Sequence, residues 1–474
     1  MLTRRRFTQL SLSASGLALA TCGQPVRRGT APINPASEAS DLLIWWEVAY
    51  LLEENERIIQ VIHNWEQQSG LKVSLKLMPV ELIQQELFKS VSNPQAYPVP
   101  DIVYSLGVDT NLAPQLAWRD QLTDLSEVIQ PVQKNYTATA LSLVSYRNQV
   151  QNQVRYYALP LWQSDDYIHC WSNLLATIGR TVQDIPQPWQ EFWKFWQIAQ
   201  DELRARGYSE LHGLGLCMST SGFDTFTTLS LFLDAYDVVV ADRLGNFLLD
   251  TVDNRQRFIQ ALDELTSFYR TGYVPLDAVE WTGAGNNTSF LEGRILMTHN
   301  LTLSIPLTQR LERNEFNQDA AQRYRQIRTL DRPWKPDGQE MLTRKGIKQA
   351  ILPKAGKHQQ AAKSFLTYLT QPQVLNQLIQ GFQGRLLPVM PQLLGDPLWN
   401  DTTDPHLSTA LKIYNRPSTT PYEVLHPSFS EVQSQQIWAK IVLKVIQEKV
   451  SPAAAVDWGI AQIRQIWGVW EGNP

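Results

Sequence analysis

From Leu42 onward, the period at which apolar residues recur changes several times along the chain. Leu42-Leu43-Ile44-Trp45-Trp46 is an apolar run of strand length. Behind it, Ile58, Ile62 and Trp65 recur at helical spacing, and Gly70 is a fitting stop for that helix. Leu71, Val73, Leu75 and Leu77 then alternate with Lys72, Ser74 and Lys76, which predicts a half-buried strand. Residues 81–90 suit a second helix, and Pro100-Asp101-Ile102-Val103-Tyr104 a third strand. Strands and helices that alternate this closely predict an α/β unit with helices laid on a sheet.

A second block begins near Leu159-Pro160. Within it, residues 167–171 read as a strand. Residues 188–200 read as a helix, with Trp189, Phe192, Trp193 and Trp196 on one broad face. Residues 214–218 form a short apolar strand and residues 258–269 an amphipathic helix. The carboxyl end is helical: residues 437–446, then Ser451-Pro452 as cap and first-turn proline before residues 456–470. No internal repeat is visible. A length of 474 residues suggests two or three domains at about 150 residues each.

The first 21 residues, MLTRRRFTQLSLSASGLALAT, have a basic start and a short run of Leu, Ala, Ser and Gly. That run is too short to span a bilayer and fits a signal peptide. Thr3-Arg4-Arg5-Arg6-Phe7 resembles the twin-arginine export signature; the alternative is an ordinary secretory signal with three arginines. Leu19-Ala20-Thr21-Cys22 resembles a lipobox, in which the Cys22 thiol is acylated and becomes the new amino terminus. Residues 23–40 are rich in Pro, Ala and Ser and read as a flexible tether. No later run is apolar for the roughly 18 residues a membrane helix needs.

Composition narrows the function classes. The chain is 43% apolar and 19% charged, enough for a packed core. Its net charge is −4; without the three arginines of the leader, 39 basic residues face 46 acidic ones. A mildly acidic chain with no long basic run is a poor nucleic-acid binder. No P-loop is present, so any ATP is hydrolysed by another chain. Gly213-Leu214-Gly215 lacks the third glycine of a dinucleotide fingerprint and reads as a tight turn. The seven histidines are scattered without metal-ligand spacing, and no GxSxG elbow occurs. No metal, cofactor or catalytic residue is expected. Cys170 and Cys217 read as buried free thiols or, in an oxidising compartment, a pair.

Sixteen tryptophans remain, many beside polar residues. Sugar rings have apolar faces and polar edges, so a sugar site combines flat aromatics with Asp, Glu, Asn or Arg. Trp45-Trp46-Glu47 sits at the carboxyl end of a strand, where open α/β sheets place ligands. Trp162-Gln163-Ser164-Asp165-Asp166 is a second such cluster. Trp65, Trp193 and Trp467 read instead as core or helix-face residues.

Four stretches resemble the family 1 extracellular solute-binding proteins, the ABC-transporter substrate-binding lipoproteins of the maltose-binding kind. Pro100-Asp101-Ile102-Val103-Tyr104, with Leu122-Thr123-Asp124-Leu125 after it, is similar to the family's PDI strand and its sequel. Ala158-Leu159-Pro160, with Asn173 beyond, resembles its hinge crossing. Residues 290–298, FLEGRILMT, resemble its helix-to-strand step, and residues 346–369 its late helical segment. The resemblance implies a periplasmic-binding-protein-like α/β fold: two α/β lobes joined by hinge strands, with a ligand cleft between them. One lobe would comprise residues 41–158 plus 345–405, and the other 159–344 plus 406–474. After Met297-Thr298-His299-Asn300 the family's sugar binders often continue with Gly and an aromatic residue; here Leu301-Thr302-Leu303 follows.

On this reading the ligand lies between Trp45, Trp46 and Glu47 of one lobe and Trp162, Asp165 and Asp166 of the other. Asp109, after the third strand, and Phe223 and Asp224, after the strand at 214–218, are further contacts. Asn300 and Arg385 complete the expected set. The implied protein is a non-catalytic, monomeric binder, held at the outer face of a membrane through lipidated Cys22. It passes a small solute, a carbohydrate first of all, to the permease subunits of an ABC importer and binds no nucleic acid. Competing readings are an exported glycoside hydrolase using Asp165 or Asp166 with Glu47, a sensor with the same cleft, and a binder of polyamines or other solutes.

Overall fold

The computed structural model describes residues 41–310, 316–401 and 403–472. The leader, Cys22 and the tether lie outside the described residues. The strands that follow are, in chain order, β1 (Leu42–Glu47), β2 (Val73–Met78), β3 (Ile102–Tyr104), β4 (Ser145–Asn148), β5 (Gln153–Tyr156), β6 (Ala158–Ser164), β7 (Tyr167–Trp171), β8 (His212–Gly215), β9 (Ile295–Asn300), β10 (Ile327–Leu330), β11 (Thr343–Arg344), β12 (Gly346–Ile351), β13 (Leu387–Pro388) and β14 (Ser418–Thr419).

They build two principal sheets. The first has the order β13-β6-β12-β3-β1-β2, with β1 parallel to both β2 and β3, and β12 antiparallel to β3 and β6. The second has the order β10-β7-β9-β8, with β8 and β9 parallel and the other pairs antiparallel. Each sheet has its own apolar core. Ile44, Ile102, Leu159 and Phe365 belong to the first, and Ile168, Trp193, Phe258 and Met297 to the second. The fold is thus α/β with two lobes.

Local chemistry explains the elements. The helix Leu52–Ser69 buries Ile58, Ile62 and Trp65 and stops at Gly70, whose φ of 74° puts it in the left-handed region open to glycine. The last helix, Pro452–Trp470, starts where Ser451 accepts a hydrogen bond from the Ala454 amide, with Pro452 in the first turn. β2 lies at the sheet edge, and Leu77 remains exposed despite the clean alternation around it. The strand expected at 214–218 is displaced: pairing with β9 covers His212–Gly215, and the chain then leaves the sheet.

β6 carries a proline in mid-sheet, between β12 and β13. Proline has no amide hydrogen for the ladder and is tolerated in sheets mainly at edges and bulges. The register accommodates it: Lys348 pairs with Trp162 while Gln349 pairs with Pro160, so Leu161 is an extra, unpaired residue. All of β6 belongs to the first sheet, and the chain crosses to the second at Asp165-Asp166. It returns through β11 and Lys345 into β12. There a side chain on Gly346 would have its first carbon 2.7 Å from Ser164 Oγ, so Ser164 would have to turn aside to admit one. Cys170 and Cys217 are buried and unpaired.

Candidate binding cleft

β1, β3 and β6 deliver three aromatic residues to one spot. Trp46 and Tyr104 have ring centroids 4.3 Å apart, Tyr104 and Trp162 4.9 Å, and Trp162 and Phe382 4.4 Å. Trp162 Nε1 donates to the Tyr104 hydroxyl at 3.1 Å, which fixes the edge-on arrangement. These rings floor a cavity of about 20 Å³ whose rim carries Glu47, Glu54, Tyr50 and Arg385. Arg385 donates to Glu54 Oε1 from Nε (3.1 Å) and Nη2 (2.7 Å), and its guanidinium lies 5.1 Å over the ring of half-exposed Tyr50. Glu47 accepts from the Leu106 amide at 2.5 Å. Burial nonetheless pushes its carboxyl up to about 7, because desolvation outweighs that amide and the charges of Arg385 and Lys348.

A second cavity, of about 50 Å³, opens between the lobes. One wall is Asp109, Ser164 and Lys348 beside the first sheet; the other is Phe223, Phe226 and Leu301 beside the second. Lys348 Nζ donates to Asp109 Oδ2 at 2.9 Å and to the Leu106 carbonyl at 3.2 Å, so Leu106 and Lys348 separate the two cavities. Burial raises the Asp109 carboxyl above its ordinary range, with Lys348 opposing. Arg344 also lines this space. Its Nη2 is 3.8 Å from Glu423 Oε1, and its guanidinium lies over the rings of Phe226 and Tyr422.

The structure therefore gathers Trp46, Glu47, Trp162 and Arg385 around one cavity, and Asp109 and Phe223 beside the other. The remaining expected residues line neither. Trp45 points to the opposite face of β1 from Trp46, as strand alternation requires, and is covered on β2 by Lys76 at 5.9 Å. Asp165 and Asp166 occupy the crossing. Asp165 accepts from Gln163 Nε2 at 2.7 Å, and burial pushes its carboxyl up to about 7. Asp166 sits 3.4 Å from Arg332 Nη1 and 3.5 Å from His299 Nε2. Burial raises its carboxyl, but these partners outweigh burial and hold it below its usual range. Asp224 is pushed up to about 6 by burial, partly offset by His299. Asn300 donates to Asn287 Oδ1 at 2.5 Å inside the second lobe.

Sequence reasoning missed Tyr50, Glu54, Tyr104, Phe382, Arg344 and Lys348. Tyr104 ends the recognised strand at 100–104 at the same level as Trp46, so its position was available from register alone. Lys348 faces Asp109 across 239 positions, which no local pattern carries.

A two-lobed α/β body with a cleft at the carboxyl ends of β1 and β3 defines a class of ligand-capturing proteins. The profile of the bacterial extracellular solute-binding proteins matches residues 60–409, and the chain belongs to that family of transport binding proteins. Its solved structural neighbours agree. An ABC-transporter solute-binding protein of Thermotoga lettingae TMO bound to α-D-tagatose superposes with a TM-score of 0.70 at 17% identity, covering 90% of this chain and 100% of that one. Maltose-bound MalE3 of T. maritima gives 0.69 at 15% identity, with 90% and 99% covered. A sugar transporter of Arthrobacter chlorophenolicus A6 with laminaribiose gives 0.70 at 15%, again with 90% and 99% covered. Identities this low speak for the fold alone. No curated protein sequence matches the chain. Among the described residues no helix is long and apolar enough to cross a membrane.

Proposed function

We propose that this chain captures a carbohydrate outside the cytoplasm and delivers it to the permease of an ABC importer. The observation that carries the reading is the ring cluster of Trp46, Tyr104, Trp162 and Phe382 beneath a rim of Glu47, Glu54, Arg385 and Tyr50. Flat apolar surface below and charged hydrogen-bonding groups around it match the two kinds of surface on a sugar. The cavities of about 20 and 50 Å³ hold only a handful of water molecules between them, so the ligand enters as the lobes part and is enclosed as they close.

The binder is non-catalytic on this reading. A glycosidase needs two carboxyl groups flanking one bond, and Asp165 and Asp166 are turned into the crossing while Glu54 is engaged by Arg385. Export follows the twin-arginine-like leader, and acylated Cys22 tethers the body; Cys22→Ser releases the chain from the membrane fraction.

Thermal denaturation with a panel of monosaccharides, disaccharides, polyols and polyamines tests the assignment. A sugar at about 100 times its dissociation constant stabilises the chain by about 2.7 kcal/mol. A response to polyamines alone overturns the ligand class, and cleavage of an oligosaccharide overturns the non-catalytic reading.

A further inference from the structure

A cavity roomier than either of these belongs to neither site above. It measures about 230 Å³ and lies in the second lobe, where one water needs only about 10–15 Å³. The helix Asp224–Ala235 separates it from the cleft. Phe226 and Thr227 line the interlobe cavity, and Ser230 and Asp234 line this one, on average about 8 Å further along the axis at 1.5 Å per residue. Arg344 borders both.

Its polar lining is unusual in having few partners. Ser230 Oγ and Tyr422 Oη are buried with no hydrogen-bond partner, and Arg344 Nη2 has only the Glu423 carboxylate, at 3.8 Å. The three residues are 1%, 8% and 9% exposed. The Asp234 carboxylate accepts no hydrogen bond and forms no ion pair among the described residues, and Arg344 is the strongest charge acting on it. Buried polar groups in folded proteins are nearly always satisfied, and each exception asks for a partner. By contrast, Asp237 and Lys335 at the rim pair with each other. Val238, Val240 and Met341 add a buried apolar wall.

An anionic acceptor and a cationic donor thus face one space without contacting each other, beside hydroxyls and an apolar surface. We propose that this cavity is a second ligand site, for a small zwitterion of the α-amino-acid type. The ammonium is held by Asp234 with Ser230, the carboxylate by Arg344 with Tyr422, and an apolar side chain lies against Val238, Val240 and Met341. A lone cation would leave the guanidinium with only the Glu423 carboxylate, at 3.8 Å, and a lone anion would leave the Asp234 carboxylate unmatched; a zwitterion answers both. Since Arg344 also approaches Glu423 of the cleft, occupancy here is felt at the interlobe cavity.

Isothermal titration calorimetry of the full chain with L-valine tests the site, with isobutylamine and isovalerate as ligands lacking one charge. L-valine binds, and each single-charge analogue binds at least about tenfold more weakly, the loss expected for a charge-assisted hydrogen bond. Asp234→Asn reduces L-valine binding to the same degree. Val239→Trp does so without touching the buried lining, because Val239 is half-exposed at the mouth and an indole there blocks entry. Tyr50→Ala, in the first lobe, leaves L-valine binding unchanged. Absence of L-valine binding overturns the proposal. So does equal binding of isobutylamine, or binding that survives both Asp234→Asn and Val239→Trp. Loss in Tyr50→Ala with retention in Asp234→Asn would place the amino acid in the first-lobe cavity and overturn it as well. Sugar binding plays no part in these outcomes.

Discussion

The tryptophans of the two lobes are put to opposite uses. In the first lobe Trp46 and Trp162 end strands at the mouth of the sheet and floor a cavity with charged groups around it. In the second, Trp189, Trp193 and Trp196 lie on one face of the helix Trp189–Ala205 and are packed out of solvent, Trp193 against Phe232 at 5.1 Å and Phe268 at 5.3 Å. Residue type is the same; the element and its open end decide the role. A helix face pressed on a sheet has only other apolar side chains for company. A strand end at a sheet's carboxyl edge has loops and charges.

Substitutions can break this contrast. Trp193→Ala removes a buried ring that lines neither the first-lobe nor the interlobe cavity and costs about 3–5 kcal/mol of unfolding free energy in urea titrations, with sugar affinity unchanged. Next comes Arg385→Leu, which strands the Glu54 carboxylate in a buried place and costs about 3 kcal/mol by the same measurement, with sugar affinity lost as the rim rearranges. An intact affinity would remove Arg385 from the site.

Glu47 sharpens the comparison through pH. Its carboxyl is raised from 4.5 to about 7 in the folded chain, chiefly by burial, so the folded state holds this proton more tightly than the unfolded state. The stability it contributes is fully present below about pH 4.5 and is lost as pH rises through about 7, to a total of about 3 kcal/mol. Glu47→Gln cannot ionise, so its unfolding free energy changes less than the wild type's between about pH 5 and about pH 8. Equal slopes would show that Glu47 stays ionised in the folded chain.

The smallest structural effect comes from Tyr50→Ala. Tyr50 is 49% exposed, so its removal leaves stability within about 0.5 kcal/mol, but the rim loses its stacking surface and sugar affinity falls about tenfold. Trp162→Ala is a poorer probe, since Trp162 is 1% exposed and its loss opens the core as well as the site.

Much of the architecture was legible because it rests on local periodicity. The strand at 42–46, the helix ended by Gly70 and the helix at 437–446 all follow from spacing and caps. The cleft was legible only in part. Strand alternation within Trp45-Trp46 decides which ring faces the cavity, and that needs the sheet's orientation, which the run of five apolar residues hides. Asp165 and Asp166 looked like ligand carboxylates because their charge is visible in sequence, while Arg332, His299 and Gln163, which engage them, come together only in three dimensions. Membership of the solute-binding family was read correctly from four weak stretches, because their order along the chain is a stronger constraint than any one of them.

The unpaired Leu161 lets the hinge strand lose a codon without changing the ligand it is built for. Pro160 and Trp162 face Gln349 and Lys348, two adjacent residues of β12, so deleting Leu161 would close the bulge and keep both pairings. Trp162 would keep its partner and its face, and the strand would be one residue shorter with the cavity floor unaltered.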